Sequence, residues 1–170
     1  MQKFSIFFVL LVLIIVSSVM NPNFLSHRNI TNIAVQLAVA TILAYGEMVL
    51  IVSGLLDLSS GAVLALSGVL SVSAYKATGS MVVAFAVSIG VAVIFNMINA
   101  LFVANFALPA FIVTLATQMA ARGLALLYTS GQNILQIGKY AVVGQGKIGP
   151  VPIPVIFTVL ATIIISYIMN

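Results

Sequence analysis

Only two side chains in this 170-residue sequence carry negative charge, Glu47 and Asp57, so any carboxylate chemistry must run through them. A paired-carboxylate mechanism would use both with nothing to spare. The single histidine, His27, stands beside Arg28 in a polar stretch and offers neither a catalytic triad nor a histidine-rich metal site. With no cysteine, disulfides, iron–sulfur clusters and thiolate zinc centres are excluded. No glycine-rich phosphate loop ending in Gly-Lys-Ser or Gly-Lys-Thr occurs, so no nucleotide site is expected on this chain. Neither a metal nor a cofactor is expected, and a conventional soluble enzyme is not.

The remaining polar residues recur at helical spacing inside apolar runs. Asn32, Gln36, Ala40 and Glu47 fall at offsets 0, 4, 8 and 15, near one helical face. Thr114, Thr117, Gln118, Ala121 and Arg122 follow offsets 0, 3, 4, 7 and 8, a single stripe. Polar groups are costly in hydrocarbon, so such faces turn toward protein or a water-filled path. Two readings stay open for Thr114, Thr117 and Gln118: hydrogen bonds to neighbouring helices, or the lining of a substrate pathway. Arg122 either snorkels to an interface or pairs with Glu47 or Asp57. Glu47 sits about one turn from the end of its apolar run, where a plain interfacial position is the competing reading. Ala84, Ser88, Ala92, Asn96, Ala100 and Ala104 repeat every four residues, a small-residue ridge suited to close helix packing. Asn99 and Asn96 are the polar side chains there that could instead meet a substrate.

Composition says what kind of body positions these residues. Hydrophobic residues make up 63% of the chain and charged residues 5%, against about 25% charged in ordinary globular domains. Mean hydropathy is +1.31. Eight formal charges cannot coat a water-soluble surface, and the chain is an integral membrane protein in a lipid bilayer. The six basic residues, Lys3, Arg28, Lys76, Arg122, Lys139 and Lys147, are scattered, so no nucleic-acid surface is expected.

A spanning helix needs about 20 apolar residues. The expected fold is all-α, a polytopic transmembrane helix bundle with five clear spans plus a broken or short segment near Asp57. The clear spans are 4–20, 33–52, 81–103, 110–128 and 151–169; the short one is 62–74. The first run opens like a signal peptide, but Ser17-Ser18-Val19-Met20 is a poor cleavage site, so a retained helix is expected. Gly54, Ser59, Ser60 and Gly61 around Asp57 can break one helix and start the next. A break at membrane depth marks either a site or a tight turn capped by Asp57. Residues 129–150 form a polar connector. Basic residues near helix ends leave orientation undecided.

The stretch Gly54-Leu55-Leu56-Asp57-Leu58-Ser59-Ser60-Gly61, continuing to Gly68, resembles the G-x-D-L-S-x-G segment of ribose-type ABC importer permeases. Asn99, then Leu108-Pro109-Ala110-Phe111-Ile112-Val113-Thr114-Leu115, then Arg122-Gly123-Leu124-Ala125, are similar to that family's later segments. Phe24-Leu25-Ser26 and the loop from Gly144 to Gly149 also match, in order. Departures are Leu55, Ala100 and Ala116, where the family carries glycine. The resemblance implies a permease subunit of a bacterial inner-membrane sugar importer. Its implied partners are a cytoplasmic ATP-binding subunit that hydrolyses the ATP, an extracytoplasmic sugar-binding protein, and a second permease subunit, identical or different. It also puts the Leu108-Pro109 turn on the cytoplasmic side. Members run to about twice this length, so 1–170 is expected to be one permease region, truncated before the loop that docks on the ATPase. The competing expectations are a small self-contained facilitator and an inactive remnant.

Overall fold

The computed structural model describes residues 5–169; Lys3 and Phe4 lie outside them. Among the described residues seven α-helices follow one another. They are α1 (Ser5–Met20), α2 (His27–Val52), α3 (Ser60–Thr78), α4 (Met81–Asn105), α5 (Ala110–Thr129), α6 (Ala141–Gln145) and α7 (Ile153–Met169). A 3₁₀ turn, Gly138–Tyr140, and a small antiparallel hairpin, β1 (Lys147–Ile148) with β2 (Val151–Pro152), fill out the connector.

The all-α membrane architecture holds, but the count of five clear spans does not. Among the described residues four helices, α2 to α5, are long and apolar enough to cross a membrane, while α1 and α7 are shorter, with 16 and 17 residues. The segment expected to be short is an uninterrupted 19-residue helix. Its serines had depressed the hydropathy, yet the helix absorbs them: Ser67 Oγ donates to Leu64 O and Ser71 Oγ to Ala84 O on α4. It stops at Gly79, whose φ of 70° is the left-handed C-cap that glycine adopts freely. α2 begins six residues earlier than expected, because Ser26 caps it by accepting from the Asn29 N–H.

α3 is the hub. Its Val63 and Leu66 pack with Ala121 of α5 to form the main buried cluster, flanked by Ala92 and Phe95 of α4. Ala84 and Ala121 are wholly buried, so the helices meet almost backbone to backbone. A second pair forms where α7 lies on α2. There Thr158 Oγ1 lies 3.0 Å from Ala38 O, and the Tyr45 and Thr162 hydroxyls are 2.8 Å apart. α1 has no buried residue. Such sparse burial suits a bundle whose outer faces meet lipid, where packing and polar contacts replace the hydrophobic effect.

The connector folds back on one end of the bundle. Tyr140 packs against Tyr75 with the rings tilted by 47° and their centroids 5.6 Å apart, and its hydroxyl lies 2.8 Å from the buried Ser71 Oγ. Arg28, Lys76, Lys139 and Lys147 all gather at this end, where His27, Arg28 and Lys147 line a cavity of about 520 Å³. Both carboxylates lie at the other.

Candidate functional site

The site begins where α2 stops. Gly54, at φ 77°, turns the chain back so that its N–H bonds Ile51 O and the Leu55 N–H bonds Leu50 O. That double closure satisfies the last carbonyls of α2 and releases a short extended linker. α5 holds the linker in place: the Leu58 N–H donates to Thr114 Oγ1 at 3.2 Å, and the Thr114 hydroxyl lies 2.8 Å from Ala110 O on its own helix.

From the linker, at the N-cap of α3, a chain of hydrogen bonds runs to α4 and on to α5. Asp57 Oδ1 accepts from the Ser59 N–H at 2.7 Å and from Ser59 Oγ at 2.6 Å. Ser59 Oγ in turn accepts from Asn99 Nδ2 of α4 at 3.1 Å. Asn99 Oδ1 accepts from Thr117 Oγ1 of α5 at 2.5 Å. Ser59, Asn99, Thr114 and Thr117 are all buried, so each polar group must find a partner within the protein. Glu47 approaches from α2, its Oε1 accepting from Ser60 Oγ at 2.8 Å. Both acidic side chains of the sequence thus converge on the first turn of α3, where the helix dipole is positive.

Two open cavities flank this point. One, about 320 Å³, is lined by the linker with Asn96, Asn99, Ala100, Ala104 and Thr114. The other, about 380 Å³, lies among α2, α3 and α4 and is lined by Glu47, Asp57, Ser60, Ser88 and Asn96. Each falls within the roughly 300–1,000 Å³ typical of small-molecule sites. Of the residues singled out in the sequence, Glu47, Asp57, Asn99, Thr114 and Thr117 come together here. Gln118 is half-buried and Arg122 exposed, and among the described residues no hydrogen bond joins either to the network. The α4 ridge divides: Ala84 packs within the bundle, Ala92 packs there and borders the second cavity, Ser88 faces the second cavity, Asn96 both, and Ala100 and Ala104 the first.

Ser59 is the central residue that sequence reasoning placed only among the helix breakers. Its signal was local: the second residue after an aspartate, at the start of a helix, is where an Asx turn delivers a backbone N–H and a hydroxyl to one carboxylate. The α2–α7 threonine contacts and Tyr140 had no comparable signal, since their partners are far apart in the chain.

A family described as "Branched-chain amino acid transport system / permease component" matches residues 29–170. The ribose import permease protein of Bacillus subtilis is 35% identical over 173 residues, covering 100% of this chain and 54% of its own length. The xylose transport system permease protein of Haemophilus influenzae is 35% identical over 130 residues, 75% of this chain and 35% of its own length. The D-allose transport system permease protein of Escherichia coli is 28% identical over 169 residues, 98% of this chain and 52% of its own length. The chain thus spans about half the length of the ribose and allose relatives. No solved structure matches it significantly. Four long apolar helices among the described residues and this match agree on a multi-pass membrane protein. The chain belongs to the branched-chain amino acid transport system / permease component family.

Proposed function

We propose that this chain forms one wall of the translocation pathway in a bacterial inner-membrane ABC importer of sugars, with residues 1–170 as one permease region. The observation that carries this reading is the convergence of Glu47 and Asp57 on the start of α3, between two cavities that both reach Asp57 and one of which also reaches Glu47. Carboxylate oxygens accept from sugar hydroxyls, and the amide of Asn96 can both donate and accept. Thr114, Thr117 and Asn99 hold the wall together, and Asn99 and Thr114 also border the first cavity. Gln118 and Arg122 continue the same stripe of α5 outside the network.

Substrate class comes from the relatives, whose names specify ribose, xylose and allose. These are neutral, hydroxyl-rich molecules, suited to a site with acceptors and amides and only two charges. The partners proposed are a cytoplasmic ATP-binding subunit, an extracytoplasmic sugar-binding protein and a second permease subunit, identical or different. No nucleotide loop occurs in the sequence, so energy from ATP enters through that separate subunit. The Leu108-Pro109 turn is assigned to the cytoplasmic side, and the basic connector end to the outside. The family and its relatives favour this reading over a self-contained facilitator.

The test is sugar uptake by a complete permease carrying Asp57→Ala. Uptake falls while the membrane level stays normal; unchanged uptake returns Asp57 to a turn-forming role.

A further inference from the structure

The two cavities meet at three residues, Leu50, Asp57 and Asn96, which line both. They come from α2, the linker and α4, so the meeting point is bounded by three separate elements. The polar pair among them is held very differently. Asp57 is tied to Ser59 through two bonds of 2.6 and 2.7 Å, and Ser59 is tied through Asn99 to Thr117. That network satisfies Oδ1 and crosses the linker, α4 and α5, so the carboxylate cannot turn without breaking buried hydrogen bonds.

Asn96 is the opposite case. Its side chain is exposed, and its one hydrogen bond runs from Nδ2 to Ala92 O on its own helix, at 2.8 Å. Releasing that bond disturbs no other helix, and an exposed side chain changes rotamer in picoseconds to nanoseconds. Asn96 and the buried Asn99 therefore divide the work along one helix: Asn99 anchors the bundle and Asn96 is free to move.

We propose that Leu50, Asp57 and Asn96 form a partition between two successive chambers of the passage, with Asp57 as its fixed post and Asn96 as its movable arm. This rests on the pathway reading above and adds where discrimination by size occurs. A hydroxyl-rich ligand leaving one chamber finds an acceptor on Asp57. Asn96 must swing aside, and its amide can bond the ligand as it does so. Ser59 is a positioning residue, since it acts through Asp57.

Because the sequence has no cysteine, the partition can be probed with single introduced thiols and needs no transported sugar. Ala104→Cys reports the first chamber and Ser88→Cys the second. The complete permease carrying each change is reconstituted in vesicles, and a membrane-impermeant thiosulfonate is added on the side from which the Ala104 thiol reacts. The Ser88 thiol is expected to react about tenfold more slowly, a barrier of about 1.4 kcal/mol. Adding Asn96→Ala, which takes nothing from the buried core, should abolish that difference, and Asn96→Gln should preserve it. Equal rates at the two thiols, or a Ser88 rate indifferent to Asn96→Ala, would overturn the partition. The thiol rates and their response to Asn96→Ala need no transported sugar, whereas unchanged uptake in the Asp57→Ala permease would undo the pathway reading, so the two failures are distinguishable.

Discussion

Thr117 on α5 donates its hydroxyl to Asn99 Oδ1 on α4, 18 residues earlier in the chain, while the amide of the same Asn99 donates to Ser59 at the start of α3. One asparagine thereby fastens three helices through both of its polar atoms. Its position is buried, so neither atom can fall back on water. Every bond in the series points its proton toward Asp57.

Thr117→Val removes the donor, keeps the shape and leaves Asn99 Oδ1 buried without its partner. We expect a loss of about 1–3 kcal/mol of stability. Thermal unfolding in detergent checks this, with Thr117→Ser close to the parent protein because the hydroxyl is retained. A Val variant as stable as the parent would remove the bond from the account.

Ala121 is wholly buried where α5 meets α3. Ala121→Leu has no room and should cost about 1–3 kcal/mol through forced separation of the helices. The same change at exposed Ala86 should be nearly silent. Comparing the two melting temperatures tests whether α3–α5 contact is as close as the buried alanines indicate.

Gly79 ends α3 at φ 70°, with open space around the position where a Cβ would sit. Any penalty for Gly79→Ala is therefore conformational rather than steric crowding, about 1–2 kcal/mol. Crowding is excluded if the larger Gly79→Ser costs no more than Gly79→Ala in the same unfolding measurement.

Tyr140 pins the connector to Ser71, and Tyr140→Phe keeps the ring against Tyr75 while deleting the hydroxyl. Hydrogen exchange at residues 138–145 should quicken, in line with a lost bond worth about 0.5–1.5 kcal/mol. Exchange unchanged from the parent would mean that ring packing alone holds the connector.

Membrane residence and helical class were legible from composition, since eight charges cannot solvate 170 residues. The helix break at Gly54–Ser59 was legible too, because glycine and serine around a lone aspartate disrupt an apolar run in one place. Spacing alone put Thr114 and Thr117 on one face. Hydropathy misled at α3, where Ser67, Ser71 and Lys76 shortened the apolar window although the serine hydroxyls bond carbonyls of their own or the neighbouring helix. Of the two readings open for Arg122, pairing with Glu47 or Asp57 is not what the structure shows: the side chain is exposed, and both carboxylates take serine partners. Which side chains meet across 40 or more residues depends on how helices cross, and periodicity along one helix carries no such information. That is why Ser59 to Asn99 and Tyr140 to Ser71 emerge only in three dimensions.

The central claim is that sugar occupies the cavities beside Asp57, and protection of a thiol there tests it most directly. Ala100→Cys in the naturally cysteine-free chain lines the first cavity. Assembled in a complete permease, this thiol should react severalfold more slowly with a thiosulfonate when ribose, xylose or allose is present, and leucine should leave its rate unchanged. Protection by leucine with none from any sugar, or no protection by either, would contradict the account.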